Sequence, residues 1–169
     1  MLTVTAEATL VRMKKIGGSY VSGYNWNNYV FPSYPTTNTI SQNGVTYKTV
    51  PFVIVGGEDS MGGAQSQVSI VTAAGTIETA VLKEAAAPSD GGPPLLVEIE
   101  IWSLNPTSYS FESRVRKEIW RASRFDTDGV ERCSLTLTTP GNALTGRAGR
   151  YLNTADVGIL PSAGDIRLQ

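Results

Sequence analysis

Arg132-Cys133-Ser134-Leu135-Thr136-Leu137-Thr138 sets Cys133, Leu135 and Leu137 in alternation with Arg132, Ser134 and Thr136. A period of two marks a strand with one face buried. Immediately upstream, Asp126-Thr127-Asp128-Gly129 is turn chemistry, flanked by Glu118 to Phe125 on one side and Val130 to Thr138 on the other. The two arms predict a hairpin. A second hairpin is predicted where Asn43-Gly44 separates Thr39-Ile40-Ser41-Gln42 from Val45-Thr46-Tyr47-Lys48-Thr49-Val50, because Asn-Gly accepts the positive φ angles of a primed turn.

Outward from these hairpins, Val68 to Val71 and Leu95 to Trp102 read as strands, the second with Val97, Ile99 and Ile101 inward and Glu98 and Glu100 outward. One short helix is expected between them, at about residues 77–86. Thr76 would cap it, Glu78 would sit near its positive end, and Ile77, Ala80, Val81 and Glu84 would share a face. Pro88-Ser89-Asp90-Gly91-Gly92-Pro93-Pro94 then ends the helix in an extended loop. Before residue 40, Gly, Asn and Pro punctuate the aromatics Tyr20, Tyr24, Trp26, Tyr29, Phe31 and Tyr34, a pattern of short strands and loops. The expected fold is mainly β (α+β), built from antiparallel hairpins with one helix packed on them. Residues 1–140 would form a single domain, and residues 141–169, Gly-rich and without sustained periodicity, a C-terminal arm.

Charged residues make up 17% of the 169 residues and the net charge is -1, against a usual charged share of about 25%. Such a surface has no global field to attract nucleic acid or an anionic membrane. The sole cysteine, Cys133, leaves no internal disulfide, so folding needs no oxidising compartment and cytoplasmic synthesis is expected. The first residues lack a basic and apolar leader, and no run of apolar residues approaches the length of a membrane span.

Histidine is absent altogether, which removes the commonest general base and the commonest zinc ligand. Glu98 and Glu100 stand two apart on one strand face, where a solvated surface is the more ordinary reading than an acid–base pair. Glu58-Asp59 lies in a Gly-rich loop that lacks both the ladder of a calcium site and the Gly-Lys-Ser of a phosphate loop. No catalytic residue, metal or cofactor is therefore expected, and the chain reads as a non-enzyme. Arg114, Arg116, Lys117, Arg121 and Arg124, interleaved with Trp120 and Phe125, would suit either single-stranded nucleic acid or contacts with other subunits. Tyr24, Trp26, Tyr29 and Tyr34 have three readings: subunit interface, core, or a platform for sugar rings. Arg147, Arg150 and the adjacent Tyr151 join them as candidate interface residues, and Arg12, Lys14 and Lys15 also fit subunit contacts.

The order of elements resembles the tail-tip and baseplate hub proteins of tailed bacteriophages, the family that includes the amino-terminal domain of the phage lambda tail tip protein. The phrases that carry the resemblance are Asn43-Gly44-Val45-Thr46-Tyr47 leading to Val50-Pro51-Phe52, Gln67 to Ile70, Leu96 to Trp102, and Cys133 to Pro140. The resemblance implies a tail-tube-like β-barrel or sandwich and assembly as a trimeric or hexameric ring that connects tail tube to tip, in the virion. Tail tube and tip or baseplate proteins would be its neighbours, and DNA only the passing contents of its lumen. Residues 88–94 and 140–169 would order on assembly. The iron–sulfur domain found in that family is not implied, since one cysteine cannot ligate a cluster. A glycan-binding or adhesion β domain is the alternative.

Overall fold

Alternation of buried and polar positions marks most of the strands, and the described residues form nine strands and one helix. The computed structural model describes residues 6–28, 39–56 and 67–140. In chain order these are β1 (Ala6–Lys14), β2 (Trp26–Asn27), β3 (Thr39–Gln42), β4 (Val45–Thr49), β5 (Phe52–Gly56), β6 (Gln67–Ala73), α1 (Thr76–Ala86), β7 (Leu96–Leu104), β8 (Phe111–Thr127) and β9 (Arg132–Thr138). All nine strands join one sheet in the order β3-β4-β2-β1-β7-β8-β9-β6-β5. The mainly β, α+β fold is as expected. Two features differ from expectation: the sheet is open, not closed into a barrel, and it is mixed, because β2 lies parallel to β4.

β4 and β5 lie near opposite ends of that order, yet only Val50 and Pro51 separate them. Three Cα steps span at most about 11 Å, so the sheet must curl until its ends approach each other. The curl creates a concave face that holds the core. Val11, Met13, Val97, Ile99, Ile70, Leu135 and Leu137 point into it, and α1 adds Val81, Leu82, Ala85 and Ala86. Cys133 is also buried there, and burial above all pushes its thiol pKa up, so the thiol stays protonated and shielded.

Both expected hairpins form. Asn43 and Gly44 take φ of 50° and 75°, the left-handed pair of a type I′ turn. A Cβ added at Gly44 would meet nothing within 4 Å, so only the backbone resists substitution. Gly44→Ala is expected to cost about 1 kcal/mol in urea unfolding, the penalty of a left-handed non-glycine residue; an unchanged midpoint would show that the turn does not constrain the sheet. In the second hairpin the first strand extends well beyond its expected arm, since β8 begins at Phe111, although it pairs with β9 only from Arg121. Its turn is fixed by Asp128, whose carboxylate accepts the N–H groups of Val130, Glu131 and Arg132 at 2.9 to 3.0 Å.

The helix falls where expected, but its cap and face do not. Gly75 is the N-cap and makes no side-chain bond, leaving Thr76 as the first helical residue. Ile77 is 59% exposed; the buried stripe runs one position further on, through Val81, Leu82 and Ala85. Lys48 on β4 pairs with Glu78 at 3.2 Å and so helps set that rotation. The loop at residues 88–94 was expected to order only on assembly. Contacts within the chain already hold it: Ser89 donates to Glu84 at 3.0 Å and Lys15 pairs with Asp90.

Candidate functional site

β8 is the longest strand, and its neighbours change along its length. β7 pairs with it from Phe111 to Arg121, whereas β9 pairs only from Arg121 to Thr127. Residues 111–120 therefore present one backbone edge with no partner strand among the described residues. A β-bulge falls within this overhang: Ile101 faces Arg116 and Trp102 faces Arg114, leaving Val115 out of register. Val115 is 60% exposed and Ile119 50%.

Beside the overhang, the concave face beyond the core opens as a groove of about 700 Å³. Ile99, Ile101 and Trp120 form one wall, Phe52 and Ile54 the other, and Arg116, Glu118 and Thr139 also line it. An open backbone edge bordering a groove of mixed apolar and polar lining can accept an added strand: the edge supplies hydrogen bonds and the groove takes alternate side chains.

The opposite face carries the expected pair Glu98 and Glu100, but they are not solvated surface. Each side chain is only 12% exposed. Lys117 lies 2.9 Å from Glu98 and 3.2 Å from Glu100, and Arg114 lies 3.2 Å from Glu100. Tyr20 donates to Glu98 at 2.9 Å, and the Trp102 indole N–H donates to Glu100 at 2.8 Å. Burial pushes the Glu100 pKa up, but the bonds from Trp102 and Lys117 outweigh it and hold the carboxyl below its ordinary value. The bond to Glu98 raises the Lys117 pKa in turn. Both groups are thus fixed in their charged forms, the reverse of what a general acid or a neutral lysine base requires. Tyr47, buried nearby, has its pKa pushed up to about 12, chiefly by burial, and stays neutral.

The basic residues of β8 do not make a free cationic stripe. Arg114 and Lys117 meet Glu98 and Glu100, Arg116 pairs with Glu118, and Arg124 pairs with Asp126 at 2.7 Å. Trp120, a candidate stacking platform, is buried in the core. Trp26 is buried too, 1% exposed, and Tyr24 packs half-buried against the same cluster. Tyr29, Tyr34, Arg147, Arg150 and Tyr151 lie outside the described residues, as does Glu58-Asp59. Among the described residues no group of three acidic or cysteine side chains could hold a metal, and no helix is long and apolar enough to cross a membrane.

Sequence reasoning missed the overhang, because the alternation that reveals a strand needs one buried face, and most of residues 111–119 are exposed. It also missed Tyr20, which comes to Glu98 across 78 positions of sequence; no local signal announces such a contact. Comparison of the sequence with protein-family models and with curated proteins finds no match.

Proposed function

We propose that this chain is a structural assembly subunit, working by pairing and packing with other chains. More narrowly, it is a bacteriophage tail subunit of the hub or tip, at the distal tail or baseplate, joining tail tube to tip as a homo-oligomeric ring in the virion. The observation that carries the first step is the edge of β8 at residues 111–120, which has no partner strand among the described residues, with its exposed Val115 and Ile119. Proteins normally shorten, charge or cover such edges, because an open one templates pairing with another chain. Here the edge's cations are turned onto acids of the same chain and leave the backbone accessible. Identical subunits that meet through two different surfaces close into a ring when the rotation fits.

The second step is supported by the element order and the phrases at residues 43–52, 67–70, 96–102 and 133–140. A curled sheet plugged by one helix is in keeping with a tube-type subunit. Mass photometry and negative-stain electron microscopy should find rings of three or six copies, for the chain alone or co-expressed with the products of its adjacent genes. A monomer under every such condition would overturn the assembly reading. Rings that associate with no tail protein would overturn the narrower one.

A further inference from the structure

We infer that the β8 edge and the groove beside it receive the C-terminal segment, residues 141–169, of a second copy of this chain. The inference rests on the assembly reading above and names the contact that builds it.

The acceptor has two parts that agree in direction. The open edge runs along residues 111–120, about 30 Å of strand at the usual rise. On the concave side, Ile99, Ile101, Phe52 and Ile54 offer apolar contacts along that same stretch. An added strand would place every second side chain in the groove and the remainder over the face of Arg114 and Lys117.

The occupant is identified by where the chain leaves the sheet. β9 ends at Thr138, paired with Arg121 at the foot of the open edge, and Thr139 lines the groove. Residues 141–169 start from that point. Within them Ala155, Val157 and Ile159 alternate with Thr154, Asp156 and Gly158, which matches one apolar and one polar side, with a carboxylate toward the basic side. Among the described chain ends that line the groove, which include Asn28 and Gly56, the exit of β9 is the one paired with β8.

Pro140 decides between the chain's own segment and a neighbour's. Had the chain served its own edge, β9 would simply run on beside β8. At that step Pro140 supplies no N–H and breaks the ladder, followed at once by Gly141. A ladder interrupted there does not favour the chain's own edge, and a segment of this length, if extended, could span about 90 Å, ample for an adjacent subunit. Each copy then donates one segment and accepts one, a heterologous contact that continues around a ring.

The test uses the full-length chain and a fluorescent peptide of residues 141–169. The peptide is expected to bind the chain, and in excess to lower the population of oligomers seen by mass photometry. Val115→Pro removes a donor at the bulge, where β7 pairing is already interrupted. It should weaken the peptide at least about tenfold, with hydrogen-exchange protection of β6 and β9 unchanged as proof of folding. Ile119→Lys should do the same without a proline. Oligomers that form while the peptide neither binds nor competes would overturn the inference and leave the assembly reading standing. Equal binding to wild type and both variants would place the segment elsewhere and overturn it. Protection of residues 141–169 that persists in a monomer regardless of concentration would assign the segment to its own chain, which also overturns it.

Discussion

Trp26→Ala should destabilise the chain by about 3–5 kcal/mol, the range for removing a fully buried large aromatic. Two links lead to that figure. Trp26 occupies half of a two-residue strand, paired with Val11 of β1 on one side and Lys48 of β4 on the other. Its ring is 1% exposed, in the same cluster as Val50, Phe52, Leu82 and Ala85. It stands where β4 turns through Val50 and Pro51 into β5, so its loss empties the corner about which the sheet curls. Asn27, fully buried beside it, donates to the Tyr47 carbonyl at 3.3 Å and would lose its shelter from water. Since domains are stable by only about 5–15 kcal/mol, the variant should melt at least about 10 °C lower. Tyr24→Ala, at a half-buried position, should lose less than half as much. Urea titration followed by circular dichroism is the measurement; a cost under about 1 kcal/mol for Trp26→Ala would mean that the ring is not part of the core. A glycan platform or exposed subunit contact at this residue would have been stability-neutral.

The elements legible in the sequence are those whose cause is local. Asn43-Gly44 carries its turn geometry in its own backbone, Asp128-Gly129 in the Gly129 backbone and the Asp128 carboxylate, and β9 shows its period because only one of its faces is buried. β1 was illegible for the opposite reason. It is a central strand with Ala8 and Leu10 buried on one face and Val11 and Met13 on the other, so alternation vanishes, and Ala, Glu, Leu, Met and Lys are residues equally at home in a helix. β2 is too short to have any pattern. The helix could be located from its composition, but its rotation is set by β4 through Lys48 and by the core, neither of which is local.

The candidate site divides along the same line. Glu98 and Glu100 were readable as sharing one face, which the register confirms by setting them against Arg12 and Leu10 of β1. That this face is half-buried was not readable, since the cover comes from Tyr20 and Lys117 and from the buried Tyr47. The aromatic run at residues 24–34 mixed core and non-core roles that composition alone could not separate. Trp26 and Tyr24 differ in depth because the first lies between two strands and the second precedes them.

Lys117→Met tests the cluster on that face, and its effect should depend on pH in a direction fixed by the two shifts. Lys117 has a raised pKa in the fold. Its contribution is fully present below the unfolded value and is lost as pH rises through the folded one. Glu100 has a lowered pKa. Its contribution is present above the unfolded value and is lost as pH falls through the folded one. The cluster therefore stabilises between about pH 4.5 and 10.5. At pH 7 the substitution leaves two carboxylates, each 12% exposed, with Arg114 still paired to Glu100 at 3.2 Å and the Glu98 ion pair lost. Breaking a fully buried pair costs about 3–5 kcal/mol and an exposed one under about 1. Lys117 itself is 35% exposed, so solvent screening discounts the buried figure to about 1–2 kcal/mol. Below the ordinary carboxylate range the deficit should shrink, because Glu100 then takes a proton and the ion pair with Lys117 is lost in the wild type as well. Adding Glu100→Gln to Lys117→Met should restore part of the loss at pH 7 but little in acid, since the amide removes one of the two carboxylate charges. Urea midpoints for the wild type and the two variants at pH 7 and at about pH 3 give the answer. A deficit that is the same at both values would show that Lys117 contributes through its packed methylenes, with the charges contributing nothing.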